Sequence, residues 1–361
     1  MTNTARPTKG NILHALLDAQ RIAFAPFIFQ AVITAKRTGL LSAIDHAANG
    51  TTLEEAAQAC GLSLYGTQVL SDVLAQSGVL AFENGRYTLT KTGLCLLYDP
   101  MTSVNLDFTA DVCYRGLSHL KESIEQGRAA GLCELGNWTS IYPHLSELPG
   151  HARNSWFRFD HFYSDRTFES CADWISTNLS PKRLFDIGGN TGKFAAVCMK
   201  KMPNLDVTLI DLPEQCQLAK NNPDLAFAAD RFHTSTVNWL DKEAIPQTNG
   251  TADIVWMSQF LDCFTPDEAI GILKRAAQLL SPNGCIAIVE CLWDSQEYEA
   301  ARLSLVCTSL YFTALANGNS RFYSCQELLE LIRCAGLEVT EEKNNLGVSH
   351  SLIICRVKTV D

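Results

Sequence analysis

Leu184-Phe-Asp-Ile-Gly-Gly-Asn-Thr-Gly192, with Thr208-Leu-Ile-Asp211 downstream, is the stretch that decides the reading of this chain. The first four residues read as a short buried strand that turns at a glycine-rich loop. Lys193 to Met202 then has helical composition, and Asp206 to Ile210 reads as the next strand, ending in Asp211. Gly188, Gly189 and Gly192 lack a Cβ where backbone must pass close to a ligand or adopt positive φ. An acid about 20 residues beyond such a turn can accept both hydroxyl hydrogens of a ribose. The order strand, turn, helix, strand and terminal acid carries more weight than the glycines alone.

Asp186 separates this pattern from a dinucleotide site. A pyrophosphate at the strand end would meet its negative charge, whereas a ligand with a cationic centre or an ammonium group would not.

Composition narrows the class. The chain has 361 residues, 47% apolar and 19% charged, enough for two domains and a large core. No run approaches the ~20 apolar residues of a membrane span. The opening Met-Thr-Asn-Thr-Ala-Arg-Pro-Thr-Lys lacks a hydrophobic core behind it, so no secretory signal is expected. The fourteen cysteines are scattered, none with C-x-x-C spacing. Most sit in apolar runs, such as Cys198, Cys285, Cys307 and Cys355, and they read as reduced core residues of a cytoplasmic protein, not as disulfides or zinc ligands. A net charge of −10 argues against nucleic acid or an anionic membrane as partner.

Gly10 to Leu41 holds apolar runs at helical spacing, with Pro26 expected to start or kink a helix. So apolar a segment needs a covering surface, either a second subunit or its own domain. Thr51-Thr-Leu-Glu-Glu carries a capping box and opens a helix to Cys60, and Ser63 caps one that reaches Gln76. Gly78 to Phe82 and Arg86 to Thr90 form a hairpin turned at Asn84-Gly85. The resulting unit is a winged helix. Between Thr51 and Leu80 it has no Lys or Arg but contains Glu54, Glu55 and Asp72, so it lacks the cations a DNA reader needs and serves structure or dimerisation.

Asp99 to Leu179 reads as a mainly helical bridge with a loop from Gly127 to Gly136 and an aromatic segment, Trp156-Phe-Arg-Phe-Asp-His-Phe-Tyr-Ser-Asp165. Further on come a strand at Phe232 to Val237, one at Asp253 to Ser258, and a helix at Pro266 to Leu280. A turn at Pro282-Asn-Gly284 leads into a strand at Cys285 to Cys291. A long apolar helix, about Glu297 to Leu315, and a capped one at Ser324 to Cys334 follow. Strands at Leu337 to Glu342 and Ser349 to Val357 close the sheet as a hairpin. Strands alternating with helices imply a doubly wound α/β sheet.

These residues resemble the class I S-adenosylmethionine (SAM) methyltransferases, whose first motif is D-x-G-x-x-x-G, and specifically the plant-type small-molecule O-methyltransferases. Tyr87-Thr-Leu-Thr-Lys-Thr-Gly93 is similar to the segment that ends the winged helix in that family, and Asp211-Leu-Pro213 to its D-L-P. The resemblance implies a seven-stranded Rossmann-like domain over residues 181–361, a winged-helix dimerisation domain over 1–100 and a helical bridge with the substrate segment over 101–180. It further implies a homodimer formed through the N-terminal domain, with no nucleic-acid or membrane partner. SAM is the implied cofactor and S-adenosylhomocysteine its product, with Asp186, Gly188, Gly189, Gly192, Asp211 and Leu212 around it. The same resemblance places Asn238, Trp239, Ser258, Tyr163 and Asp165 at the cofactor, and Phe157, His161, Phe162, Gln259, Asp262 and Phe312 at a small aromatic acceptor.

The match breaks at the chemistry. The family's catalytic His falls on Asp262 within Phe260-Leu-Asp-Cys-Phe264, the following Asp on Cys263, the buttressing Glu on Ser320, and a Lys of the fourth strand on Ser258. Three readings follow: Asp262 is the base, or His161 is, or a phenol is methylated at ring carbon. Met257 to Phe264 faintly resembles methyltransferases of bacterial aryl-polyene pigment clusters, which implies secondary-metabolite or pigment chemistry. The alternatives are a SAM-binding relative with other chemistry, such as hydroxylation, and a non-catalytic scaffold.

Overall fold

The computed structural model describes residues 11–358, which form two compact units divided between Ala110 and Asp111. In the first, helices Ile12–Ala23 and Ala25–Arg37 meet at Phe24, and Pro26 occupies the first turn of the second helix as its fixed φ suggests. Helices Leu53–Cys60 and Leu64–Gln76 follow. The capping box uses Thr52 with Glu55, and Ser63 caps the second helix.

Strands β1 (Leu80–Glu83) and β2 (Arg86–Leu89) pair antiparallel, with Glu83 opposite Arg86. Their two-residue turn has φ of 52° at Asn84 and 77° at Gly85, the left-handed pair that Asn-Gly adopts most easily. Thr90 then explains the motif that ends the unit. Its hydroxyl donates to Gly78 O at 2.7 Å and accepts from Gly93 N at 3.1 Å, capping helix Lys91–Tyr98. A Cβ on Gly93 would stand 2.5 Å from the Val79 carbonyl oxygen. Only glycine lets this helix lie on the hairpin.

The second unit contains a 29-residue helix, Gly150–Asn178, and seven strands. These are β3 (Arg183–Ile187), β4 (Asp206–Asp211), β5 (Phe232–Thr236), β6 (Ala252–Ser258), β7 (Leu280–Glu290), β8 (Leu337–Leu346) and β9 (His350–Val357). Their order is β5-β4-β3-β6-β7-β9-β8. β3 to β7 run parallel, while β9 is antiparallel to both neighbours and makes the closing hairpin with β8. Alternate residues face opposite cores. Phe185, Ile187, Val255 and Met257 pack on one face of the sheet, and Leu184, Ile254 and Trp256 on the other. Both faces are covered, which is why these strands read as continuous apolar runs.

Three segments depart from the sequence reading. The expected turn at Pro282 to Gly284 lies within β7. Ala252 pairs with Leu280 and Ile254 already with Cys285, so Ser281 to Gly284 are absorbed as a bulge. The long helix expected to reach Leu315 is α-helical only over Glu299–Tyr311 and widens to a π-helix at Phe312–Ala316, closed by Asn317 N and Gly318 N on the Phe312 carbonyl. The loop expected from Gly127 contains a 3-10 turn, Ala130–Glu134.

Cys198, Cys285 and Cys355 are buried as expected, but Cys307 is exposed on Glu299–Tyr311. Among the described residues no single helix is long and apolar enough to cross a membrane.

Gly93→Ala is expected to destabilise the N-terminal unit by about 1–3 kcal/mol, the cost of forcing a methyl against fixed backbone. Thermal unfolding of the full chain checks this, and an unchanged midpoint would mean the helix can move aside.

Candidate active site

Between β3 and β6 the strand order reverses, and in such sheets the crevice beyond the carboxyl ends of the strands is the ligand site. Acids gather at this edge. Asp186 precedes the last residue of β3, Asp211 ends β4, Glu290 ends β7, and Asp262 follows β6.

The loop after β3 is a cradle made by missing side chains. Gly188 (φ 72°) and Gly192 (φ 76°) hold left-handed backbone. A Cβ on Gly188 would meet Phe260 Cδ2 at 2.4 Å, and one on Gly189 would meet Asp186 Oδ2 at 2.5 Å. That oxygen is buried and has no hydrogen-bond partner. Burial, and then the charge of Asp211, push the Asp186 carboxyl up to about 7. Asp211 accepts from Asn190 N at 2.9 Å and Leu212 N at 2.7 Å, which ties the loop to β4. Burial raises Asp211 to about 6 against those two bonds. A dry acid with an unsatisfied oxygen fits a cationic ligand and rejects an anionic one.

Beyond β6, Ser258 Oγ and Gln259 Oε1 are buried without partners, and Gln259 itself holds φ of 47°. Such backbone strain in a non-glycine residue is characteristic of functional sites. Glu290 Oε1 accepts from Phe260 N at 3.0 Å and Leu261 N at 2.8 Å, fixing the start of the 3-10 turn Leu261–Cys263. The end of that segment is fixed by Asn317 Nδ2 on the Cys263 carbonyl (2.6 Å) and the Tyr323 hydroxyl on the Phe264 carbonyl (2.7 Å). Ser320 donates to Asn317 Oδ1 at 2.8 Å, so its hydroxyl steadies the turn through a neighbour.

Asp262 sits inside this frame, 3% exposed. Burial pushes its carboxyl up to about 7; the Cys263 thiol, donating to Oδ1 at 3.4 Å, opposes the rise and the Asp160 charge adds to it. Glu290 is driven well above the usual carboxylate range, by burial first and then by Asp262.

Helix Gly150–Asn178 carries the other residues that the sequence singled out. His161 Nδ1 lies 3.5 Å from Asp165 Oδ1 and 3.8 Å from Asp160 Oδ2. Lys193 Nζ lies 2.8 Å from Asp165 Oδ2, joining this helix to the one that leaves the glycine loop. Burial works against Asp165, but the His161 and Lys193 hydrogen bonds hold its carboxyl below its ordinary value. Phe157 stacks with His161 at 5.9 Å between ring centroids, Phe162 lies under the Arg166 guanidinium, and Tyr163 is buried between Phe159 and Phe162.

Not all expected residues lie open to a ligand. Trp239 is 5% exposed and belongs to the core, with the Arg275 guanidinium over its ring, while Asn238 is exposed and caps Leu240 N. Phe312 is 6% exposed within an aromatic cluster with Tyr311 and Phe322. Asp160, Lys193 and Glu290 escaped the sequence reading. For Glu290 the signal was there: an acid ending an apolar strand, as Asp186 and Asp211 do.

Residues 176–338 match the O-methyltransferase domain, and residues 17–87 match the Dimerisation2-like domain. The chain thus carries an O-methyltransferase domain of the SAM-dependent class and, ahead of it, a Dimerisation2-like domain. The norreticuline-7-O-methyltransferase of Papaver somniferum is 30% identical over 45% of this chain, a match that spans only 42% of that relative. The demethylspheroidene O-methyltransferase of Rhodobacter capsulatus is 26% identical over 81% of this chain and 70% of its own length. The bacteriochlorophyllide d C-20 methyltransferase of Chlorobaculum tepidum is 23% identical over 64% of this chain and 65% of its own. In fold, the mitomycin 7-O-methyltransferase superposes with a TM-score of 0.70 at 19% identity, covering 96% of this chain and 98% of that one. An O-methyltransferase from neocarzinostatin biosynthesis, solved with S-adenosylhomocysteine and 1,4-dihydroxy-2-naphthoic acid, gives 0.64 at 20% identity over 91% and 96%. The unsatisfied, buried Asp186 and the glycine cradle fit the family's cationic cofactor.

The raised carboxyls predict a pH dependence with a definite sign. A carboxyl whose folded pKa exceeds its unfolded value stabilises below the ordinary carboxylate range and loses that contribution as pH rises through about 7, the Asp186 value. Ligand-free Asp186→Asn is therefore expected to melt higher than the wild type at about pH 8, with the gap closing towards about pH 5. A gap independent of pH would contradict the burial of this carboxylate.

Proposed function

We propose that the protein transfers the methyl group of SAM to a small phenolic or other aromatic acceptor, with Asp262 as the base. The observation that carries this reading is Asp262 itself: enclosed, fixed by Glu290-bound backbone on one side and Asn317 on the other, and raised to about 7. SAM supplies an electrophilic methyl on a positively charged sulfur, so the leaving thioether needs no acid. The chain's task is alignment and removal of one proton from the acceptor. Asp186 holds the cationic end of the cofactor and Asp211 its ribose. Asp262 takes the hydroxyl proton, which a carboxyl near neutrality can do without being permanently protonated. His161 is a positioning residue, linked through Asp165 to Lys193.

Methylation at ring carbon is the second reading, favoured by the relative named as a C-20 methyltransferase and by the loss of the family's His. There Asp262 would make the phenolate that activates the adjacent carbon. A role in secondary-metabolite or pigment synthesis rests on the names of the relatives and the faint aryl-polyene resemblance. Free thiols at all fourteen cysteines suit a reducing, cytoplasmic setting.

Asp262→Asn is expected to lower turnover ~10²-fold or more with affinity for S-adenosylhomocysteine unchanged. Turnover of the wild type should rise with pH through about 7, because the base must be ionised, and the rise should vanish in the variant. An active Asp262→Asn beside an inactive His161→Ala would move the base to His161. Mass and NMR analysis of products from labelled SAM and a phenol panel separates O- from C-methylation, and no methylated product with cofactor bound would favour other chemistry or a scaffold.

The protein is further proposed to be a homodimer through its N-terminal unit. Helix Ile12–Ala23 buries none of its residues and leaves Ile12, Leu13, Leu16, Leu17 and Ile22 exposed, followed by Phe24 and Phe27. Sedimentation should give twice the chain mass for the wild type and a monomer for a Leu16→Asp/Leu17→Asp variant. A monomeric wild type would refute it.

A further inference from the structure

A cluster apart from the acidic edge has the makings of a metal site. Two 3-10 turns, Gly116–His119 and Ala130–Glu134, lie backbone to backbone. A Cβ on Gly131 would stand 2.2 Å from the Gly116 carbonyl oxygen, and one on Gly116 would stand 2.9 Å from the Gly131 oxygen, so only a glycine pair allows this approach. The buried Ser123 hydroxyl clamps the same two turns, donating to His119 O at 3.1 Å and accepting from Ala130 N at 3.0 Å. In a 3-10 helix, side chains three apart share a face. His119 and Glu134 each stand three residues after the contacting glycine, so the close approach brings their side chains together.

With Cys133 they form a tight group, whose ligand atoms all lie within 4.8 Å of one another. His119 Nε2 is 3.2 Å from Glu134 Oε1 and 3.8 Å from Cys133 Sγ. Zinc–nitrogen and zinc–oxygen bonds of about 2.0 Å and a zinc–sulfur bond of about 2.3 Å, at the tetrahedral angle, place N and O about 3.3 Å apart and N and S about 3.5 Å apart. The two edges that meet at His119 Nε2 are those of such a tetrahedron within a few tenths of an ångström, and the edge from Cys133 to Glu134 is under 4.8 Å. On its far side, the imidazole Nδ1 lies 3.8 Å from Glu122 Oε2, itself paired with Arg128. At this distance Glu122 is a neighbour and not yet a hydrogen-bond acceptor, and a small rotation would let its carboxylate orient a ligating imidazole and set its tautomer.

We propose that His119 Nε2, Cys133 Sγ and Glu134 Oε1 bind one zinc-type divalent cation, with water at the fourth position. One thiolate, one imidazole and one carboxylate suit a borderline ion of this kind better than the oxygen-seeking magnesium or calcium. Binding releases the thiol proton and stitches the two turns together. Both turns lie against the π-helix Phe312–Ala316: a Cβ on Gly116 would meet Leu315 Cδ2 at 2.3 Å, and one on Gly131 the Ala314 carbonyl at 2.8 Å. The next residue, Asn317, anchors the turn that carries Asp262. The ion would stiffen that support, and the proposal is independent of the methyl-transfer reading.

The test is a titration of chelator-treated, reduced, full-length protein with cobalt(II), a spectroscopic stand-in for zinc. One equivalent should produce a thiolate-to-cobalt charge-transfer band and the visible bands of a tetrahedral ion, both abolished by excess zinc. The charge-transfer band should be absent in Cys133→Ser and the affinity at least ~10-fold weaker in Glu122→Gln, whose residue supports the imidazole without touching the ion. Cys133 is exposed, so folding should survive its replacement, which circular dichroism verifies. Zinc should raise the melting point of the wild type but not of Cys133→Ser. No band in the wild type, or a band that persists in Cys133→Ser, overturns the proposal.

Discussion

Keeping carboxylates dry at the edge of a parallel sheet is the constraint on which the second unit is built. Each of Asp186, Asp211, Asp262 and Glu290 is raised by burial, and among the described residues no arginine or lysine forms an ion pair with any of them. Stripping water from an unpaired charge is expensive, so such groups take up a proton or wait for a cation. Without ligand this edge stores unfavourable electrostatics, which a positively charged ligand would relieve. The four acids differ in what holds them. Asp211 and Glu290 are each spent partly on backbone amides, and so shape the loops on either side. Asp186 keeps one buried oxygen without a hydrogen-bond partner, and Asp262 is placed by a frame of other residues.

That frame shows how the departures from the family pattern fit together. Where the family has His with acidic partners, this chain has Asp262 beside a thiol, a Ser–Asn relay from Ser320 through Asn317 to the Cys263 carbonyl, and Glu290 beneath the turn. A carboxylate base, the role proposed for Asp262, has no tautomer for a second acid to hold, so a hydroxyl would suffice at the buttress position. The π-helical widening at Phe312–Ala316 delivers Asn317 to the turn, which gives the irregularity a role.

Much of this was legible in the sequence because it depends on local chemistry. Glycines at positions 188, 189 and 192, the Asn-Gly turn, the capping boxes and the continuous apolar strands each act within a few residues, and the structure places all of them as read. What stayed hidden depends on distant contacts. Nothing local says that Glu290 reaches the amides of Phe260 and Leu261, that Lys193 meets Asp165 across two helices, or that Arg275 covers Trp239. The bulge at Ser281 to Gly284 is hidden in the sequence because Pro-Asn-Gly is a turn signal wherever it occurs, and only the register with β6 shows it lying inside a strand.

Everything above turns on whether the glycine cradle with Asp186 and Asp211 takes a charged nucleoside cofactor. Calorimetric titration of the purified chain, freed of bound small molecules, with SAM and with S-adenosylhomocysteine tests it most directly. One site per chain is expected for each ligand, with binding of both abolished or sharply weakened by Asp211→Ala. Absence of binding by either ligand, or binding indifferent to that substitution, would contradict it.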